Sequence, residues 1–284
     1  MKTISRRSLF RTIGIAGATA AIPAVAKAEP ETSGDEFHGL LIDTTKCIGC
    51  RTCEAACATE HGLPTPDLGP AALERVRDVS DTELTVVNRF ATTAGYTYAK
   101  KQCMHCNQPA CASACLTKAL LKTETGEVIW RGEKCMGCRL CMVSCPFDVP
   151  KFEYDSANPA ILKCDLCHER TKAGKVAACA EACPAKAITF GTRRELLQIA
   201  RHRLESTPGK YSDHIYGERE AGGTGVLYLT AVNAGQLGMN TRVGNEPYPQ
   251  LTKSFLSTVP LAFTILPVLM LGINRATRKD TPHG

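Results

Sequence analysis

Thiol groups are the chemistry this sequence displays most openly. Its sixteen cysteines fall into four groups of four, with none left over. The first group is Cys47, Cys50, Cys53 and Cys57, and the second is Cys103, Cys106, Cys111 and Cys115. The third is Cys135, Cys138, Cys141 and Cys145, followed by Pro146. The fourth is Cys164, Cys167, Cys179 and Cys183, followed by Pro184. Thiolates two or three residues apart on one loop converge on a soft metal centre. Other chemistries compete for the same atoms. Paired C-x-x-C units hold structural zinc, and an exported chain can oxidise its thiols to disulfides. Cys164-Asp165-Leu166-Cys167-His168 also fits the C-x-x-C-H pattern of covalent haem attachment.

Groups one and three read C-x2-C-x2-C-x3-C, which is similar to the bacterial ferredoxin spacing for a [4Fe–4S] cluster. Three thiolates two residues apart let a short loop wrap one cube, with loop N–H groups free to face its sulfurs. The fourth cysteine is expected at the start of a helix, pointing away from that cube, and a following proline turns the chain out of the site. Zinc gives no reason for the repeated x3-C element. Haem on Cys164 and Cys167 would strand Cys179 and Cys183. The thiols are therefore assigned to iron–sulfur clusters. His105 and His168 then become polar residues beside clusters. Lys46, Lys134 and Lys163, each directly before the first cysteine of a group, become either nearby cations favouring the reduced state or solvated lysines. Met104, Met136 and Met142 are expected to pack and exclude water, and Trp130 to pack on a hairpin.

The intervening segments suggest how the groups are held. "ALLKTETGEVIW" reads as a hairpin with strands at 119–122 and 127–130 and Thr125-Gly126 in its turn. Strands are also expected at 39–43, before group one, and at 187–190, after group four. Further strands are expected at 82–90 and 225–232. Thr192 with Glu195 forms a capping box for a helix whose buried face carries Leu196, Ala200 and Leu204. The layout motif–hairpin–motif is similar to a two-cluster ferredoxin, in which the fourth cysteine ligates the neighbouring cluster. That likeness implies four ligand sets: Cys47, Cys50, Cys53 and Cys183; Cys57, Cys164, Cys167 and Cys179; Cys103, Cys106, Cys111 and Cys145; and Cys115, Cys135, Cys138 and Cys141.

The ends of the chain speak of location. Residues 1–28 hold Lys2, Arg6, Arg7, Arg11 and Lys27 and no acidic residue. They account for most of the net charge of +6, so the remainder is nearly neutral and has no nucleic-acid footprint. Arg6-Arg7, an apolar run and Ala26-Lys27-Ala28 make a twin-arginine signal with a cleavage site. This export route carries folded proteins, which suits a cofactor inserted in the cytoplasm. Near the other end, residues 254–274 carry no charge and would span about 31 Å as a helix, close to the thickness of a bilayer core. Arg275, Arg278 and Lys279 follow it, so the positive-inside rule places the globular part outside the cytoplasm.

Sixteen cysteines in this lattice resemble the four-cluster iron–sulfur subunits serving formate dehydrogenase, polysulfide reductase and dimethyl sulfoxide reductase. "RRSLF", "YTYAKKQCMHC", "CMVSCPFDVPKF", "FGTRREL" and "YGEREAGGTGVLYLT", with the C-terminal anchor, resemble the electron-transfer subunit of membrane-bound nickel–iron hydrogenases of the hydrogenase 2 type. The resemblance implies an α+β fold of two interleaved two-cluster ferredoxin-like modules with a C-terminal transmembrane helix. It implies four [4Fe–4S] clusters and no catalysis by the isolated chain. The implied partners are the small and large subunits of a [NiFe] hydrogenase, an integral membrane quinone-reactive subunit and the lipid bilayer. The alternative partner is a molybdoenzyme complex of the formate dehydrogenase or polysulfide/dimethyl sulfoxide reductase type. The expected organisation is a signal over 1–28, an outer module split between 29–57 and 164–190, and a cysteine-free insertion over 58–102. An inner module over 103–163, an extension over 191–250, an anchor over 251–274 and a cytoplasmic tail over 275–284 complete it. The mature protein is expected on the periplasmic side of the cytoplasmic membrane.

Overall fold

A strand covered on both faces needs apolar side chains at consecutive positions, and "HGLLID" meets that requirement. It forms β1 (His38–Asp43), buried along nearly its whole length. The computed structural model describes residues 36–277, all within one compact unit, Gly34–Gly284. The expected signal at 1–28 and the end of the expected tail, 278–284, lie outside the described residues. After β1 come α1 (Thr52–His61), β2 (Val86–Thr92), β3 (Gly95–Lys101) and α2 (Ala110–Ser113). They are followed by β4 (Leu120–Lys122), β5 (Val128–Trp130), α3 (Leu140–Ser144), β6 (Lys151–Phe152) and β7 (Ile161–Leu162). Next are α4 (His168–Lys172), α5 (Ala178–Glu181), β8 (Ile188–Thr192) and α6 (Arg193–Ser206). The chain continues with β9 (Val226–Leu229), α7 (Tyr248–Leu251) and α8 (Lys253–Thr277).

β1 is the middle of a three-stranded sheet. It pairs antiparallel with β8, from His38 opposite Thr192 to Ile42 opposite Ile188. On its other edge it runs parallel to β9, from Leu40 opposite Val226 to Asp43 opposite Leu229. Side chains alternate across a strand, and here the alternation sorts two cores. Leu41, Leu227 and Leu229 meet Leu196, Leu197 and Ala200 of α6. Leu40, Ile42, Val226 and Tyr228 turn the other way, onto Cys53, Cys167, Cys179 and Cys183. The sheet is thus a partition with a helix behind it and thiols in front. α6 begins at the expected capping box: the Thr192 hydroxyl accepts from the Glu195 N–H at 3.4 Å, and the Glu195 carboxylate accepts from the Thr192 N–H at 3.0 Å.

β4 and β5 form the expected hairpin, one residue shorter on each strand, with Leu120 opposite Trp130 and Lys122 opposite Val128. Its turn needs glycine: Gly126 has φ +101, and a Cβ there would lie 2.4 Å from that of Phe37. β2 pairs with β3 from Val86 opposite Lys101 to Thr92 opposite Gly95. The partner strand β3 was not anticipated, because "YTYAKK" reads equally well as the lead into Cys103. β6 and β7 make a further short hairpin.

α8 carries Pro260 and Pro267 in its interior. The stretch Tyr248–Arg275 holds an 18-residue window of mean hydropathy 2.1, long and apolar enough to cross a membrane, and none of that window is buried within the chain. Phe255, Phe263, Leu269 and Met270 are among its exposed side chains.

Two substitutions test the partition. Thr192→Ala should lower stability by about 1 kcal/mol through loss of the cap. Leu196→Ala, at a fully buried position behind the sheet, should cost about 2–5 kcal/mol. Denaturant unfolding followed by circular dichroism reads both.

Candidate metal centres

One loop conformation is repeated at each cysteine group. The residue directly before the second cysteine is left-handed in every case: Gly49 (φ 72), His105 (φ 49), Gly137 (φ 71) and Leu166 (φ 63). For a residue with a Cβ this conformation costs about 1–2 kcal/mol, so His105 and Leu166 hold it because the loop demands it. Such turns line up successive backbone N–H groups around a concavity suited to an anion. Three residues after Cys115, Cys145 and Cys183, a second left-handed residue recurs: Lys118, Asp148 and Lys186. This turn lets the Ala119 N–H donate to Cys115 Sγ at 3.2 Å and the Ala187 N–H donate to Cys183 Sγ at 3.3 Å.

The expected helix position of the fourth cysteine needs correction. Left-handed Arg51 and Arg139 precede helices that begin at Thr52 and Leu140, one residue before the third cysteine. Cys57 therefore lies inside α1, and Cys145 follows the end of α3. The helix starts early because the wrapping loop is complete once the second thiol is placed.

All sixteen cysteines are free. One cavity is lined by Cys47, Cys50, Cys53 and Cys183, and another by Cys115, Cys135, Cys138 and Cys141. Each gathers three thiols from one group and a fourth from a distant one. Burial pushes the Cys106 thiol well up, reinforced by the neighbouring Cys103, Cys145 and Cys111. Burial also raises Cys164 and Cys179, and both have Cys57 as a neighbour. Cys167 is raised to about 11 by burial, with Cys179 beside it. Between these gatherings, Cys53 neighbours Cys179, Cys164 neighbours Cys103, and Cys111 neighbours Cys141.

Left as free thiols, these groups would be an expensive core. Burial lifts Cys53 and Cys111 to about 12, so they would stay protonated at neutral pH, whereas a metal centre draws thiols into the thiolate form. The surrounding donors fit the same group. Gln102 Nε2, His105 Nε2 and Trp130 Nε1 are buried without a partner, and Trp130 lines the cavity of Cys115, Cys135, Cys138 and Cys141. A buried unmet donor costs about 1–3 kcal/mol. Sulfide and thiolate sulfurs are the acceptors that such donors lack. His105 Nδ1 accepts from the Val128 N–H at 3.0 Å, which leaves the proton of the neutral ring on Nε2.

Other expected neighbours divide. Of the three lysines preceding a cysteine group, Lys163 is buried and donates to the carbonyls of Cys164 and Val128, while Lys134 is exposed. Met104 and Met142 pack as expected. Met136 does not; it is 65 % exposed. His61, Asp165 and Cys167 converge, with His61 Nε2 2.8 Å from Asp165 and the Asp165 carboxylate accepting from the Cys167 N–H at 2.8 Å. Cys167 is already committed to the thiol gatherings, so this trio braces their loop.

Three buried charges had no signal in the sequence. Glu54 on α1 is held by Arg51 and Arg77 and accepts from the Val87 N–H, which ties group one to β2. Lys100, at the end of β3, is 4 % exposed. Glu127, in the hairpin between groups two and three, is wholly buried. It accepts from Thr123, Thr125 and Thr171, binds His38 Nδ1 at 2.9 Å and lies 3.7 Å from His168. It therefore joins the hairpin to β1 and to α4. Burial alone would raise its pKa, but the hydrogen bonds of Thr123, Thr125 and His38 hold it at about 2, against 4.5 for the free carboxyl. The stability it contributes is complete above pH 4.5 and is lost as pH falls toward 2. Glu127→Gln should melt below the parent at neutral pH. The gap should close as the pH is lowered through that window, which thermal melts at stepped pH would read.

The chain matches the 4Fe-4S dicluster domain over residues 94–193. It is 42 % identical to a protein of Nitratidesulfovibrio vulgaris over 97 % of this chain and 78 % of that protein. The hydrogenase-2 operon protein HybA of Escherichia coli O157:H7 is 38 % identical over 75 % of this chain and 76 % of its own length. The iron-sulfur subunit of the nitrate-inducible formate dehydrogenase of Escherichia coli K12 is 33 % identical over 66 % of each. Buried, convergent, unoxidised thiols on repeated anion-cupping loops agree with these relationships, and the chain belongs to the family of [4Fe–4S] electron-transfer subunits that includes HybA.

Proposed function

We propose that this chain carries four [4Fe–4S] clusters and relays electrons between a nickel–iron hydrogenase catalytic dimer and a quinone-reactive membrane subunit. The observation that carries this reading is the partition of the thiols. Cys47, Cys50, Cys53 and Cys183 would hold the first cluster, and Cys57, Cys164, Cys167 and Cys179 the second. Cys103, Cys106, Cys111 and Cys145 would hold the third, and Cys115, Cys135, Cys138 and Cys141 the fourth. The two four-thiol cavities and the thiol neighbourhoods support these sets. Bound clusters of this kind accept and release single electrons.

The chain's own part is to hold thiolates, exclude water and bring the sets into series. The electrostatic influence of Cys179 on Cys53, of Cys103 on Cys164, and of Cys141 on Cys111 supports an unbranched order from the first set to the fourth. Cys138 in the fourth set, beside exposed Met136 and Leu140, and Cys50 in the first, beside exposed Ile48, both reach the surface, as termini that meet partners require. Pairing of β1 with β8 joins 29–57 to 164–190, and the hairpin β4–β5 lies within 103–163. Both support an outer module split around an inner one.

α8 would anchor the chain in the bilayer. Its preceding turn is tied to the second group by a 3.0 Å hydrogen bond from Gln250 to Gln108, which supports placing the inner module nearest the membrane. The globular part would lie on the periplasmic side after twin-arginine export, with residues 275–284 in the cytoplasm. Relatives named for hydrogenase-2, formate dehydrogenase and dimethyl sulfoxide reductase set the choice of partner, and the higher identity to HybA over more of the chain favours hydrogenase.

The anaerobically purified protein should hold about sixteen iron atoms per chain, four for each cluster. Cys47→Ser and Cys183→Ser, far apart in sequence, should alter the same low-temperature paramagnetic signal, and Cys164→Ser a different one. Separate signals for Cys47→Ser and Cys183→Ser would refute the first set. The complex solubilised from membranes should contain nickel. A molybdenum protein in place of a nickel one would move the assignment to the formate dehydrogenase or dimethyl sulfoxide reductase type.

A further inference from the structure

The cysteine-free insertion over 58–102 supplies no ligand, yet it drives one charged side chain into the middle of the thiols. β3 ends at Lys101, and the residue before it, Lys100, points inward with 4 % exposure. Lys100 lines the cavity of Cys47, Cys50, Cys53 and Cys183. The thiols that bear on its charge are Cys179, Cys53, Cys164 and Cys57, which belong to the first and second sets. Other charged and titratable groups packed around these thiols are Glu54 on α1, already paired with Arg51 and Arg77, His61, paired with Asp165, and Lys163, whose ammonium is taken up by the carbonyls of Cys164 and Val128. Among the described residues, Lys100 Nζ has one hydrogen-bond partner, the neutral amide oxygen of Gln102. The other end of that amide, Gln102 Nε2, is buried and unmet. The strand is fixed from behind by Tyr228, whose hydroxyl donates to the Lys100 carbonyl at 2.7 Å, so the side chain is held in place.

A buried ammonium with no carboxylate beside it is strongly unfavourable unless another negative charge compensates it. The anion cradles of the first two sets are the compensation this interior offers. Counter-charge works in both directions: a cation held against a centre favours the state of that centre with one more electron.

We propose that Lys100 is the internal counter-cation of the first two thiol sets and raises the reduction potentials of the clusters they hold, leaving those of the other two sets unshifted. This rests on the four-cluster reading above. It gives the insertion a redox role, and it makes the outer module easier to reduce than its ligands alone would.

The test is redox titration of the intact membrane complex, followed by low-temperature paramagnetic resonance, in the parent and in Lys100→Met, Lys100→Gln and Lys100→Arg. Iron content and the number of signals are measured first, and they judge the four-cluster reading separately. With the full iron complement, Met and Gln should make two of the four centres harder to reduce. At a fixed potential the reduced-to-oxidised ratio should fall about tenfold, equivalent to about 59 mV for a one-electron couple. The other two centres should stay at parental values, and Arg should stay near the parent throughout. Unchanged potentials in fully loaded Met and Gln variants, or equal shifts in all four centres, would overturn the proposal. If Met and Gln fail to load iron, the Arg variant decides. Parental loading and potentials in Arg support a need for charge. Failure of Arg alongside them shows that only the shape of Lys100 matters.

Discussion

Four thiolates around an iron–sulfur cube make an anionic centre that must be kept from water without being left bare in an apolar core. Burial alone raises the thiols, to about 12 at Cys53 and Cys111, so the interior is hostile to the thiolate until a cation compensates it. That opposition governs the rest of the molecule. It explains why the loops expose their N–H groups inward, why non-glycine residues such as His105 and Leu166 accept left-handed backbone, and why donors stand unmet at Gln102 and Trp130. Aliphatic side chains such as Leu40, Ile42 and Val226 enclose these thiols, and long-range elements must hold the loops in register.

The three-stranded sheet is the main such element. Its one face packs leucines against α6 in the manner of any small α+β domain, and its other face is the wall on which thiols of the outer sets are mounted. The buried carboxylates do the remaining positioning. Glu54 locks the first wrapping loop to β2 through Arg51, Arg77 and the Val87 N–H. Glu127 locks the central hairpin to α4 and to the start of β1. Each joins segments far apart in the chain, which local propensity cannot do, and each is satisfied by several partners, as a buried charge requires.

The insertion changes meaning in this light. Its sequence shows a stretch without cysteines and an expected strand at 82–90. In the fold it contributes the β2–β3 hairpin, the arginine that completes the Glu54 network and a buried lysine at the cavity of Cys47, Cys50, Cys53 and Cys183. Exposed Met136 and Leu140 border the cavity of Cys115, Cys135, Cys138 and Cys141.

Ligand type, ligand number and the local loop were legible in the sequence because a chelating loop is short: its cysteines, glycines and the proline that follows are neighbours in the chain. The capping box of α6, the hairpin turn at Gly126 and the apolar length of α8 were legible for the same reason. Helix starts were misjudged by a few residues, since the left-handed arginines before α1 and α3 have no glycine to mark them. Met136 was misplaced because nothing local distinguishes a packed methionine from one at the rim. The likeness to two-cluster ferredoxins had already put Cys183 with Cys47 and Cys115 with Cys135, and in the fold each pair lines one cavity; only the tertiary structure decided that β9 completes the sheet and that Lys100 and Glu127 are buried. Each of these depends on long-range strand pairing and on low-dielectric burial, and neither is a property of any short stretch of sequence.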